Sequence, residues 1–137
     1  MELNIEIKKG LGQLQFGMTQ TEVVALAGTP SQKETTENAA NEATTIFQYE
    51  DEGLTLFFEG EEARLSCIEI SNIDSTLFSE EVFDLTEKEL INLMVAHGYN
   101  EHSIEKEDWG ERCIAFAEGN IDFYFDENEL LSIIWTA

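Results

Sequence analysis

Apolar and polar residues alternate strictly over residues 2–7. Leu3, Ile5 and Ile7 fall on one side, and Glu2, Asn4 and Glu6 on the other. A period of two marks a half-buried strand. The alternation returns at Leu54–Glu59, where Leu54, Leu56 and Phe58 share a face, and at Ile121–Asp126, where Ile121, Phe123 and Phe125 do. These six are expected in the core, each burial contributing on the order of 1.5–3 kcal/mol. Thr44–Tyr49, Arg64–Ile70, Arg112–Ala117 and Leu131–Ile134 read as further strands. The short acidic and glycine-containing turns between them fit an antiparallel meander.

The period changes in two places. Thr19 with Glu22, and Thr86 with Glu89, each form the threonine-to-glutamate spacing of a capping box. Met18 facing Val23, and Leu85 facing Leu90, add the matching hydrophobic staples. One helix is expected over about Gln20 to Ala27, stopped by Gly28 and Pro30. The other is expected over about Glu87 to His97, closed at Gly98. Residues 8–12 read as a turn-rich connection, and residues 71–82 as a bridge anchored by Leu77 and Phe78. Residues 31–43 read as a short exposed strand and a mobile loop, which the polar stretch from Asn100 to Gly110 parallels.

The two halves follow the same order. Phe16–Leu26 returns at Phe83–Leu93, displaced by 67 residues, and the strands behind each copy keep nearly that offset. One helix hardly covers the apolar face of its own strands, so two units side by side bury more. The expected fold is α+β: a single domain over 1–137, with internal repeats at about 3–70 and 71–137. The two tandem helix-plus-antiparallel-meander repeats would form one sheet with the helices on one face.

Charge adds the next constraint. The 137 residues hold 29 Asp+Glu against 7 Lys+Arg, a formal net of -22. Such a field repels nucleic acid and anionic membranes and speeds encounter with a basic partner. The alternative is that the acidity only keeps the chain dispersed. The N-terminus has no apolar stretch of a secretory signal, and no run approaches the roughly 20 apolar residues of a membrane helix. Cys67 and Cys113, without metal-ligand spacing, read as reduced structural residues of a cytoplasmic protein.

Candidate chemistry is sparse. His97 and His102 straddle a predicted helix end, and nothing in the spacing makes them converge with Cys113 on a metal or a nucleophile. The acidic runs 50–52, 59–62, 105–108 and 126–129 lack the calcium-loop pattern. No enzyme, metal or cofactor is expected. The informative surface is the sheet face turned away from the helices. Phe57 and Glu59 point there from one half; Asp122, Tyr124 and Asp126 do so from the other, with Trp135 placed beside them. Aromatic anchors ringed by charge suit a protein-binding surface. Edge loops or a second chain covering this face would be the purely structural alternative.

The stretch Gly17-Met18-Thr19-x-x-Glu22-Val23-x-x-Leu26-Ala27-Gly28-Thr29-Pro30 resembles the SmpA/BamE-like module. The doubling is similar to the tandem arrangement of the beta-lactamase inhibitory protein family. The resemblance implies a helix-backed antiparallel sheet whose open face or loops bind another protein, with no catalytic residues to carry over. The chain shows no lipoprotein cysteine behind a signal segment, unlike an outer-membrane assembly factor. The function expected is therefore that of a non-enzymatic acidic inhibitor of a basic protein partner, in its most concrete form an immunity protein against a cognate toxin such as a nuclease. An SmpA/BamE-type adaptor, or a small-ligand protein or minor enzyme around His97, His102 and Cys113, are the alternatives.

Overall fold

The computed structural model describes residues 2–37, 43–107 and 110–137. Thirteen strands run β1 (Asn4–Glu6), β2 (Gly10–Leu11), β3 (Leu14–Gln15), β4 (Gln32–Glu37), β5 (Ala43–Tyr49), β6 (Leu54–Glu59), β7 (Arg64–Ile70), β8 (Thr76–Leu77), β9 (Glu80–Glu81), β10 (Ser103–Lys106), β11 (Arg112–Phe116), β12 (Ile121–Asp126) and β13 (Glu129–Thr136). Two helices, α1 (Gln20–Ala27) and α2 (Glu87–Ala96), interrupt them. Residues 38–42, expected to be part of a mobile loop, and Asp108 of the expected acidic run lie outside the described residues.

Both helices begin where the capping boxes place them. Thr19 Oγ1 accepts from the Glu22 N–H at 3.2 Å while Glu22 Oε1 accepts from the Thr19 N–H at 3.1 Å. Thr86 and Glu89 repeat the exchange at 3.3 and 3.0 Å. Each box satisfies two first-turn donors that would otherwise lack partners. The second helix has further support from the β12–β13 turn, where Asn128 Oδ1 accepts from the Glu87 N–H at 2.9 Å.

The expected architecture is corrected here. The chain is mostly β, with 47% strand against 21% helix, arranged as two sheets rather than one helix-backed sheet. The larger sheet has eight strands in the order β10-β11-β12-β13-β7-β6-β5-β4; the smaller has five, β3-β2-β1-β8-β9. The segments read as a connection and a bridge supply β2, β3, β8 and β9. They pair with β1, antiparallel through β2 and parallel through β8. Two-residue strands carry no readable period, so this second sheet left no alternation in the sequence.

Within the large sheet, β4–β7 and β10–β13 each run antiparallel in chain order, and β13 against β7 joins the two sets. The six alternating residues are buried, all at 2% exposure or less. They share one core with Ile5, Leu11, Leu14 and Leu77 of the small sheet and with Val23, Leu90 and Met94 of the helices. The small sheet and both helices thus pack into the core on the same face of the large sheet. Among the described residues no helix is long and apolar enough to cross a membrane.

Candidate functional site

The face of the large sheet turned away from this core is set by strand phase. Along β6 and β12 the burial pattern is the same, alternating fully buried with half-buried positions and ending in an exposed acid. Thr55, Phe57 and Glu59 therefore point outward from β6, and Asp122, Tyr124 and Asp126 from β12. Five of the six expected site residues lie on this face. Trp135 does not. It is 1% exposed and points into the core, where its indole N–H donates to the Gly10 carbonyl at 3.1 Å.

The reason is a bulge. Tyr124 pairs with Ser132 and Phe125 with Leu130, so Leu131 is the extra residue of β13 and resets its phase. Ile133 and Trp135 then face inward, and Ser132, Ile134 and Thr136 face out. A matching irregularity opposite Phe57/Phe58 leaves Ser66 as the extra residue of β7, which brings Cys67 and Glu69 outward.

Cross-strand register assembles these positions into rows. Asp122 pairs with Ile134, Ile134 with Glu69, and Glu69 with Thr55. Asp122 and Glu69 flank Ile134 two strand spacings apart, roughly 10 Å. A second row runs Ile46, Phe57, Cys67 and Thr136; a third runs Glu105, Cys113, Tyr124 and Ser132. The outward face is thus an apolar and aromatic ground of Ile46, Phe57, Ile134 and Tyr124 set with carboxylates. The sequence does not place Cys67, Glu69 and Ile134 on this face, because register past a bulge cannot be counted from alternation alone; Ile46, Glu105 and Cys113 join it only through the pairing of their strands.

Cations are placed elsewhere. Lys33 lies 5.7 Å from the Phe47 ring centroid, on the covered side. Arg112 holds the Glu87 carboxylate of α2 at 3.0 Å, and Arg64, at the end of β7, is held by Glu62 and by the Gly17 carbonyl. Lys8 and Lys9 sit in the turn after β1, and Lys88 on α2. Lys106 pairs with Arg112 and so shares its side of the sheet.

The field of these acids shows in the groups among them. Burial, reinforced by Glu105, raises the Asp122 carboxyl above its ordinary range. Burial, then Glu59, Glu69 and Asp122, pushes the Cys67 thiol up to about 12. The Tyr124 hydroxyl is pushed up to about 12 by burial, by Cys113 and by Asp122 and Glu107. Burial first, then Asp122, raises Cys113, whose titratable neighbours are Asp122, Tyr124, Glu105 and Glu107. Every shift disfavours another negative charge at this face.

The histidines are not assembled into a site with Cys113. His97 caps α2 and stacks on Phe78 at 3.8 Å, whereas His102 lies 5.3 Å from the Phe116 ring. Among the described residues no three His, Cys, Asp or Glu side chains converge as a metal site.

No family model and no curated protein matches the sequence. Two solved structures are similar in fold. The uncharacterized protein yfeY from Escherichia coli aligns over 100% of both chains, with a TM-score of 0.54 and 15% identity. An extracellular protein containing a SCP domain from Bacillus anthracis aligns over 96% of this chain and 49% of its own, with a TM-score of 0.50 and 14% identity. The chain therefore spans about half the length of that second protein. At such identities the likeness is one of fold alone.

Proposed function

We propose that the protein binds a basic protein partner through the outward face of its large sheet, without catalysing a reaction on it. The observation that carries this reading is the composition of the face: Phe57, Tyr124, Ile46 and Ile134 as anchors, with Glu59, Glu69, Glu105, Asp122 and Asp126 among them. Buried aromatic anchors hold a complex together, while complementary charge steers encounter and rejects wrong partners. The raised Asp122 carboxyl supports the same reading, since a partner cation would offset the burial, and after it the Glu105 repulsion, that raise it. Thiols driven upward at Cys67 and Cys113 are poor nucleophiles, which favours binding over covalent chemistry.

The most concrete form is a cytoplasmic immunity protein that occupies the cationic groove of a toxin, such as a nuclease whose site grips phosphate. The experiment is affinity capture at low salt, followed by association kinetics with the captured protein. A basic partner is expected, its on-rate falling at least tenfold between 0.05 and 0.5 M NaCl, on the order expected for steered encounter. An on-rate indifferent to salt would remove the electrostatic half of the proposal.

A further inference from the structure

A cleft of about 500 Å³ lies away from the outward sheet face, between β1, the β8–β9 hairpin and the segment that follows α2. Its walls include Ile5, Ile7, Lys9, Phe78, Ser79 and Tyr99.

The backbone around it is held in conformations that its residues do not favour. Leu77 pairs with Glu80, so Phe78 and Ser79 are the whole loop of the β8–β9 hairpin. Both have positive φ, +52° and +67°. That two-residue turn normally takes Asn-Gly, because a side chain in the left-handed region costs roughly 1–2 kcal/mol. A strained hairpin tip is a reason to look for a role. What Phe78 supplies is a fixed aromatic wall: its ring lies parallel to His97 within 7° and 6.4 Å from Tyr99. Lys8, next to the lysine of the cleft, is also left-handed at φ +66°, in a turn closed by the Lys9 N–H on the Glu6 carbonyl at 3.0 Å.

Three polar side chains of the cleft, those of Lys9, Ser79 and Tyr99, are uncommitted among the described residues. Both ion pairs among the described residues use arginines, so Lys9 has no acidic partner among those residues in a chain of net charge -22. The Thr76 hydroxyl is committed to Asn4 Oδ1, but those of Ser79 and Tyr99 make no hydrogen bond among the described residues. Lys8 and Lys9 also line an adjoining depression with Gln15 and Phe16, so the cationic end opens to solvent.

We propose that this cleft binds a small organic monoanion: an aromatic or branched apolar body carrying a single carboxylate or sulfonate. The head group sits on the Lys9 ammonium within reach of the Ser79 and Tyr99 hydroxyls, and the body packs on Ile7, Phe78 and Tyr99. A concave site that combines apolar walls with a few convergent polar groups is the usual form of a small-molecule site, and this cleft joins Ile5, Ile7 and Phe78 to Lys9, Ser79 and Tyr99. The Glu6 carboxylate at the rim restricts the head to one negative charge.

The test uses 8-anilinonaphthalene-1-sulfonate, a fluorescent aromatic monoanion, with the full chain. Saturable one-to-one binding is expected even though the net charge opposes it. Lys9→Glu should weaken it at least tenfold, whereas Tyr124→Ala on the outward sheet face should change it less than twofold. The uncharged analogue N-phenyl-1-naphthylamine should not respond to Lys9→Glu. Amide shifts on titration should centre on Lys9, Ser79 and Tyr99, with circular dichroism verifying that the variants fold. Equal binding by Lys9→Glu, shifts centred elsewhere, or no saturable binding would each overturn the proposal. None of these outcomes bears on the basic partner, because the two sites share no residue.

Discussion

The indole of Trp135 and the carbonyl of Gly10 meet across 125 residues of sequence, tying β13 in the middle of the large sheet to β2 of the small one. Trp135 is buried, and a side chain on Gly10 would collide with the Leu14 carbonyl. Trp135→Phe leaves a buried carbonyl without its donor and opens a void. It should cost about 2–4 kcal/mol in urea unfolding. Tyr124→Ala, on the outward face, should cost about 1 kcal/mol or less. Reversed sensitivities would mean that the two faces have been assigned the wrong way round.

Asn128 performs two tasks at once. Its backbone is left-handed at φ +68°, and its side chain accepts from the first-turn N–H of Glu87. Asn128→Ala removes the acceptor and strains the turn; Asn128→Gly removes only the acceptor. Thermal unfolding should place the glycine variant about 1 kcal/mol below the parent and the alanine variant lower still. The opposite order would show that the backbone contribution is absent.

Stability should peak in mildly acidic solution. The folded state raises Asp122 by burial and raises Glu81 through its hydrogen bond with Asp84. These groups bind protons more readily folded than unfolded, so stability rises as pH falls toward their raised values. Glu22 and Glu89 are lowered by their capping bonds with Thr19 and Thr86, and Glu62 by its bond with Arg64. Their contribution is present above the ordinary glutamate value and disappears as pH drops through the lowered ones. Melting temperatures should therefore increase from pH 7 to about 5 and decrease below about 4. A monotonic decline from neutrality would contradict the assignment of Asp122.

Thiol chemistry reports on the same field. With Cys67 at about 12 against an ordinary value of 9.0, its thiolate fraction at pH 8 is roughly a thousandfold below that of an ordinary thiol. Reaction with Ellman's reagent should be slow in the native protein and fast in urea. Burst reaction of Cys67 in the native state would show that the surrounding acids and burial do not act on it.

Much of this was legible in the residues. The capping boxes located both helix starts, and the clean alternation of Leu54–Glu59 and Ile121–Asp126 separated the core from the outward face. Two things were not legible. The two-residue strands at Gly10–Leu11, Leu14–Gln15, Thr76–Leu77 and Glu80–Glu81 are too short for any period, so the second sheet leaves no trace in the alternation, and the helices hold less of the covering layer than two helix-backed repeats imply. The run Leu130-Leu131-Ser132-Ile133-Ile134-Trp135 is nearly all apolar. Only the bulge at Leu131 decides which of its residues face inward, and a bulge leaves no mark in such a run.

The most direct test of the central claim is quantitative affinity capture with the parent protein and a Phe57→Ala/Tyr124→Ala variant, compared side by side at low salt. One strongly basic protein is expected on the parent, reduced at least tenfold on the folded variant and released by about 0.5 M NaCl. Equal retention on the variant, or an acidic partner indifferent to salt, would contradict it.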